Sequence, residues 1–141
     1  MRDILLYLIS PLLAFVGGFC TYVVILKVVY DETLGGDATA VLIWGSLIFL
    51  AICMPLYRGI IYAIDKRFTS YKGLLYPLGC MLLFAVPTAA IMLIWGNMKL
   101  LLPEAMLFHS FFIMSGLIFG LCHWVIKKMP PFSDPSHTYK S

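Results

Sequence analysis

Apolar residues fill four long windows of the chain, and the charged residues lie between and beside these windows. The windows cover residues 4–26, 38–57, 73–98 and 105–126. A helix needs about 20 predominantly apolar residues to cross a hydrocarbon core roughly 30 Å thick, and all four windows reach that length. The pattern predicts an all-α, polytopic membrane protein built as one small bundle. Its transmembrane helices are expected at about residues 4–29, 38–63, 74–97 and 104–127.

The composition agrees with lipid as the solvent of most of the chain. Of the 141 residues, 62% are hydrophobic and 12% are charged, whereas soluble proteins carry about 25% charged residues. We expect a single domain over residues 1–128 that holds the four helices, because little chain remains outside the windows. Residues 129–141 are rich in Pro and Ser and are expected to form a flexible cytoplasmic tail.

The distribution of Lys and Arg predicts that both termini face the cytoplasm. Four crossings with this orientation place eight basic residues inside, and only Lys27 and Lys99 outside. The inner set is Arg2, Arg58, Lys66, Arg67, Lys72, Lys127, Lys128 and Lys140. Positively charged loops favour the cytoplasmic side, so the net charge of +3 is explained by topology and contact with anionic lipid headgroups. We expect no nucleic-acid partner.

Six of these inner residues flank helices and would be the easiest for a cytoplasmic partner to contact. These basic contacts are Arg58, Lys66, Arg67, Lys72, Lys127 and Lys128.

The first and fourth windows each carry a face of small and polar residues. In the first window this face consists of Ser10, Ala14, Gly17 and Thr21. In the fourth window it consists of His109, Gly116, Gly120 and His123, which fall within about 80° of arc on a helix. Gly116 and Gly120 form a GxxxG, a spacing that allows two helix backbones to approach closely.

These two faces have two interpretations. They could form an interaction face for another membrane protein, or they could pack on each other as an internal seam of the bundle. Pro87, near the middle of the third window, predicts a kink with a freed carbonyl about one turn earlier.

The residue pattern does not favour a metal or a cofactor. Cys20, Cys53, Cys80 and Cys122 fall singly, one in each window, and form no C-x-x-C pair. His109 and His123 have a spacing seen in membrane haem proteins, but no other window holds a matching histidine. Three cysteines and His123 lie at a similar depth, yet Cys122 and His123 point about 100° apart on their helix. We therefore predict no metal site and no cofactor.

Catalytic chemistry is also not indicated. No Asp, Glu or Arg lies in the middle of a window, although such residues mark proton relays and ion paths. We therefore predict a non-enzymatic membrane protein that binds another integral membrane protein or itself, in contact with membrane lipid. It would act as an accessory subunit of a membrane complex, or as a protective protein of the immunity or exclusion type.

The alternative is a small oligomeric transporter, channel or lipid flippase. Its polar features would be Pro87, Asn97 and the two histidines. In either case we expect a multi-pass protein of a bacterial cell membrane, the inner membrane where there are two.

Overall fold

The chain is all-helical over the residues described by the computed structural model, which are 4–33, 35, 38–94 and 103–129. Four of its helices are long and apolar enough to cross a membrane, as the sequence predicted, and the described residues contain no strand. Helix α1 covers Leu5–Tyr30, α2 covers residues 38–67, α3 covers Lys72–Ile94 and α4 covers Pro103–Lys128. Two parts of the prediction lie outside the described residues. They are the last three residues of the expected third helix, 95–97, which include Asn97, and nearly all of the expected tail at 129–141.

A π-helical turn precedes the interior proline of both α1 and α2. Leu5–Ile9 comes just before Pro11, and Phe49–Cys53 comes just before Pro55. In a regular α-helix the proline ring collides with the carbonyl four residues earlier. The wider turn moves this carbonyl away, and the residue that follows each π segment donates its N–H to the carbonyl five residues earlier. The chain therefore stays helical on both sides of each proline, with Ser10–Tyr30 in α1 and Met54–Arg67 in α2.

Helix α3 is broken in its middle into Lys72–Leu82 and Ala85–Ile94. The break lies about one turn before Pro87, whose nitrogen has no hydrogen to donate to the carbonyl of Leu83. That carbonyl instead accepts the N–H of Val86 at 3.1 Å. The kink predicted at Pro87 is thus present, and it takes the form of a short turn that divides the helix.

Helix α4 is unbroken and lies at the centre of the bundle. Pro103 occupies its first position, where a missing N–H leaves no hydrogen bond unmade. In its most apolar stretch 50% of the residues are buried within the chain, against 22% in α1. Helices α1 and α3 both pack extensively on α4, and α2 packs on α3. The outer helices therefore keep large apolar surfaces exposed, as helices in contact with lipid would.

Aromatic side chains join α2 to α4 in the core. Tyr57 on α2 is fully buried and donates its hydroxyl hydrogen to the carbonyl of Phe112, at 3.3 Å. Its ring lies 5.2 Å from that of Phe119 on the next turns of α4. The ring of Phe15 on α1 lies 5.5 Å from that of Phe49. These contacts join α2 to the central helix α4 and α1 to α2.

Helix α2 ends at Arg67, four residues beyond the end expected at residue 63. The added turn is amphipathic: Ile64 is buried, while Lys66 and Arg67 are exposed. The sequence pattern of apolar windows stops at charged residues, so it could not show this extension.

Candidate functional site

The two glycines of the GxxxG lie against the backbone of α3. A Cβ atom placed on Gly120 would be 2.5 Å from the Cα and N atoms of Pro77. One placed on Gly116 would be 2.6 Å from the carbonyl oxygen of Cys80. Real Cβ atoms do not come this close to other backbone, so only glycine permits this helix crossing. The α3–α4 seam, defined by Gly116, Gly120, Pro77 and Cys80, is therefore a contact within the chain.

The small-residue face of α1 packs on a different part of α4. Ser10 and Ala14 are fully buried. Gly17 lies against the side chain of Ile118, and Gly18 lies against the hydroxyl of Ser115. Thr21 is half-buried and donates its hydroxyl hydrogen to the carbonyl of Gly17, at 2.9 Å.

The structure places both small-residue faces against other helices of the chain. Gly116 and Gly120 lie against α3, whereas Gly17 lies against α4 and Ser10 and Ala14 are fully buried. The two faces therefore contact different helices, and their role as an interaction face for a partner stays a prediction. Sequence reasoning missed this because a small-residue face shows that a close approach occurs but not which helix approaches.

His109 lies beside the break in α3. Its Nδ1 is 3.1 Å from the hydroxyl oxygen of Thr88, and its ring packs edge-on against Phe84 at 4.9 Å. Thr88 is fully buried and donates its own hydrogen to the carbonyl of Phe84, at 2.9 Å. The histidine and the threonine together satisfy polar groups at the point where the α3 helix is interrupted.

His123 lies nearer the other end of α4, about four turns from His109. Its ring packs edge-on against Tyr76 on α3, with centroids 5.5 Å apart. The Nε2 atom is buried and has no hydrogen-bond partner among the described residues. The two histidines therefore do not converge on one site.

A cluster of charged side chains joins α2, α3 and α4 at the end where His123 lies. Asp65 accepts hydrogen bonds from Lys72 at 2.9 Å, from Lys127 and from the hydroxyl of Tyr76. Both carboxylate oxygens are engaged, one by Lys72 and Tyr76 and the other by Lys127. We call Asp65, Lys72, Tyr76 and Lys127 the Asp65 cluster. It joins the last turn of α4 to the end of α2 and the start of α3.

Asp65 was not singled out by the sequence analysis. The signal that could have identified it is its isolation, because it is the only acidic residue between positions 38 and 103 and it lies within a basic stretch. An acidic residue among fixed cations is well placed to pair with several of them.

The predicted basic contacts divide into three kinds in the structure. Lys72 and Lys127 pair with Asp65, as described above. Arg58 stacks on Tyr7 of α1, with its guanidinium carbon 4.5 Å from the ring centroid. Lys128 stacks in the same way on a tryptophan, and Lys66 and Arg67 are exposed.

Two cavities flank the Asp65 cluster. The first, of about 280 Å³, lies between α1, α2 and α4 and is lined by Tyr7, Arg58, Asp65, His123 and Lys127, among others. The second, of about 550 Å³, lies between α3 and α4. We call the first cavity the Arg58 cleft.

No metal centre can be assembled from the described part of the chain, in which no three His, Cys, Asp or Glu side chains converge. Cys53 and Cys80 are buried, Cys122 is half-buried and Cys20 is exposed, and none of the four forms a disulfide. The buried pair packs as small apolar side chains in the core.

One small-residue face of the bundle is not covered by the chain. Ala51, Pro55, Gly59 and Ala63 follow each other every four residues along α2, and all four are exposed. A Cβ atom placed on Gly59 would meet no atom within 4 Å. We call these four residues the α2 outer face. Neighbouring exposed positions on α2 hold large side chains, such as Leu47 at 53% and Leu50 at 62% exposure.

No protein-family model, no curated protein and no solved structure matches the chain.

Proposed function

We propose that this chain is a small non-enzymatic membrane protein that acts by binding a transmembrane helix of another membrane protein. It would serve as an accessory subunit of a membrane complex or as a protective protein of the immunity or exclusion type. The observation that carries the proposal is the α2 outer face.

Support for this assignment comes from the physics of helix association in lipid. An exposed apolar side chain is not by itself a docking signal there, since lipid tails are as apolar as leucine. Small residues at helical spacing are a signal, because they let a second backbone approach and gain packing contacts. Gly59 lies within the α2 outer face and has open space where its Cβ would be. A partner helix could therefore approach α2 as closely as α4 approaches α3.

The proposed setting is a bacterial cell membrane, with both termini in the cytoplasm. Support comes from the eight Lys and Arg residues on one side against two on the other. Reporter fusions would test this: a fluorescent protein at the C-terminus should be bright, and alkaline phosphatase inserted at Gly35 should be active. The opposite result at both positions would reverse the orientation.

One pair of residues, Thr88 and His109, resembles a catalytic arrangement and needs a non-enzymatic explanation. Thr88 and His109 lie within hydrogen-bond distance, as a nucleophile and its base would. The hydroxyl hydrogen of Thr88, however, is donated to the carbonyl of Phe84, and the side chain is fully buried. The hydrogen bonds that this pair makes at the break in α3 explain its presence without a substrate.

Affinity purification with a matched pair of variants tests the proposed function. Gly59→Leu adds bulk to the α2 outer face, while Ala85→Leu adds bulk to an exposed position on α3. We expect one membrane protein to accompany the wild type and Ala85→Leu in mild detergent, and to be lost from Gly59→Leu. Equal recovery of that protein with both variants would contradict the proposal.

The alternative function, transport of a lipid or another small substrate, is favoured by a separate observation. The break in α3 brings the polar pair Thr88 and His109 to the middle of a helix, and discontinuous helices form substrate sites in many transporters. Reconstituted liposomes loaded with fluorescent lipid would reveal this activity. Lipid flip or solute flux above that of protein-free liposomes would favour transport over the interaction proposal.

A further inference from the structure

The Arg58 cleft carries more positive charge than its own acidic residue neutralises. Arg58 and Lys127 line the cleft, and Lys72 shares Asp65 with Lys127 from the adjoining side. Asp65 is the one carboxylate that the described residues place beside these three cations. Two positive charges therefore remain without a counter-charge from the described part of the chain.

Arg58 is the cation least accounted for by its surroundings. It lies nine residues before the end of α2, about 13 Å along the helix axis. Arg58 is exposed and directly follows the apolar window 38–57, a position where a basic side chain can meet the headgroups of anionic lipids. It contacts the ring of Tyr7 and forms no ion pair with a described carboxylate.

The contact with Tyr7 leaves the N–H groups of the guanidinium without a hydrogen bond to any described residue. An arginine places its flat face on an aromatic ring and keeps its N–H groups in the plane of the fork. This fork matches two oxygens of a phosphate group. Tyr7 thus orients Arg58 without satisfying its hydrogen-bond donors.

His123 supplies a second unsatisfied group in the same cleft. Its Nε2 atom is buried and lacks a hydrogen-bond partner among the described residues. A buried polar atom in this state costs free energy that a ligand would recover. The imidazole ring lines the cleft, and a small turn of the ring would bring Nε2, which is covered in this conformation, to the cleft. A phosphate oxygen would then accept a hydrogen from Nε2 in the tautomer that carries it there.

The surroundings of the cleft favour a lipid over a soluble phosphate. On α1 the lining residue Tyr7 is 60% exposed, and Leu8, the next residue along the chain, is 66% exposed. These side chains form a surface on which acyl chains can lie while the headgroup reaches Arg58. Tyr62 on α2 lines the cleft from the other side and is 70% exposed.

We propose that the Arg58 cleft binds the phosphate group of one anionic phospholipid. Arg58 holds the phosphate through its fork, Lys127 contributes a second positive charge, and His123 donates a hydrogen bond from Nε2. Asp65 remains bonded to Lys72 and Tyr76 and keeps Lys127 in position. None of the four residues of the α2 outer face lines the cleft, so lipid binding and partner binding can be tested separately.

Native mass spectrometry of the purified full chain tests the proposal. The protein in mild detergent is mixed with phosphatidylglycerol or with phosphatidylcholine, and the retained lipids are counted. We expect one phosphatidylglycerol to be retained in preference to phosphatidylcholine. Arg58→Gln should lower this affinity by about tenfold or more, as expected for a charge-assisted hydrogen bond.

Arg67→Gln is the matched control, because it removes the same charge from the exposed end of the same helix. We expect it to leave the retained lipid nearly unchanged. His123→Leu keeps the net charge and should lower the affinity by a few fold, which separates hydrogen bonding from general attraction. Circular dichroism and a melting curve confirm that each variant is folded.

Three results would overturn the proposal. Equal losses in Arg58→Gln and Arg67→Gln would show general attraction of anionic lipid to a basic surface. Equal retention of phosphatidylglycerol and phosphatidylcholine would show that the cleft does not prefer a headgroup with a net negative charge. Displacement of the lipid by millimolar glycerol phosphate would assign the cleft to a soluble phosphate ester. If Arg58→Gln does not fold, the comparison of His123→Leu with wild type decides the question.

Discussion

Replacing Gly120 with alanine tests the α3–α4 seam, because the new methyl group would meet backbone atoms that cannot rotate away. The added Cβ would lie 2.5 Å from two atoms of Pro77 and 2.6 Å from the carbonyl carbon of Tyr76. Carbon atoms in good contact are about 3.5–4.0 Å apart, so the helices must separate by about 1 Å. Overpacking of this kind costs about 1–3 kcal/mol. We expect Gly120→Ala to lower the free energy of unfolding by that amount relative to its control.

The control is Gly59→Ala, which adds the same methyl group eight residues before the end of α2, where nothing lies within 4 Å. Gly120 is likewise eight residues before the end of α4. Both changes raise helix propensity by about 1 kcal/mol, so their difference isolates the seam. The assay is SDS titration in mixed micelles, followed by tryptophan fluorescence. Equal midpoints for the two variants would refute the seam.

Two further predictions concern the polar contacts of the bundle. Asp65→Asn should lower the free energy of unfolding by about 1 kcal/mol, because two partly exposed ion pairs each contribute less than about 1 kcal/mol. Thermal melting should show a smaller loss of stability in 1 M salt. A loss that does not depend on salt would contradict the ion-pair explanation. Thr88→Val should cost about 0.6 kcal/mol, the average for a polar contact between membrane helices, as it removes the bond to His109. An SDS midpoint unchanged from wild type would show that the contact does not stabilise the bundle.

The four helices could be predicted from sequence because each uncharged window is as long as a bilayer is thick. The break in α3 could also be predicted, since proline removes a backbone donor wherever it occurs. The π turns before Pro11 and Pro55 could not. A proline within a helix can be accommodated by a kink, a break or a wider turn, and neighbouring side chains decide among them.

The candidate sites were harder to predict than the helices. Gly116 and Gly120 were recognised as a close-approach surface, but the sequence does not state which helix approaches. The Asp65 cluster depends on three chain segments that meet only after folding. The α2 outer face could not be recognised from the sequence. Small residues such as Gly59 look the same in a buried seam and on an exposed face, and only the folded bundle shows which of the two they form.

Site-specific photo-cross-linking in native membranes tests the central claim most directly. A benzoylphenylalanine in place of Leu47, which is 53% exposed and lies four residues before Ala51, probes the rim of the α2 outer face without adding bulk to Gly59. One at position 85 probes an exposed position of α3. The interaction proposal predicts a discrete protein adduct from position 47 and only lipid adducts from position 85. Lipid adducts alone from both positions would contradict it and would leave the α2 outer face as a lipid-facing surface.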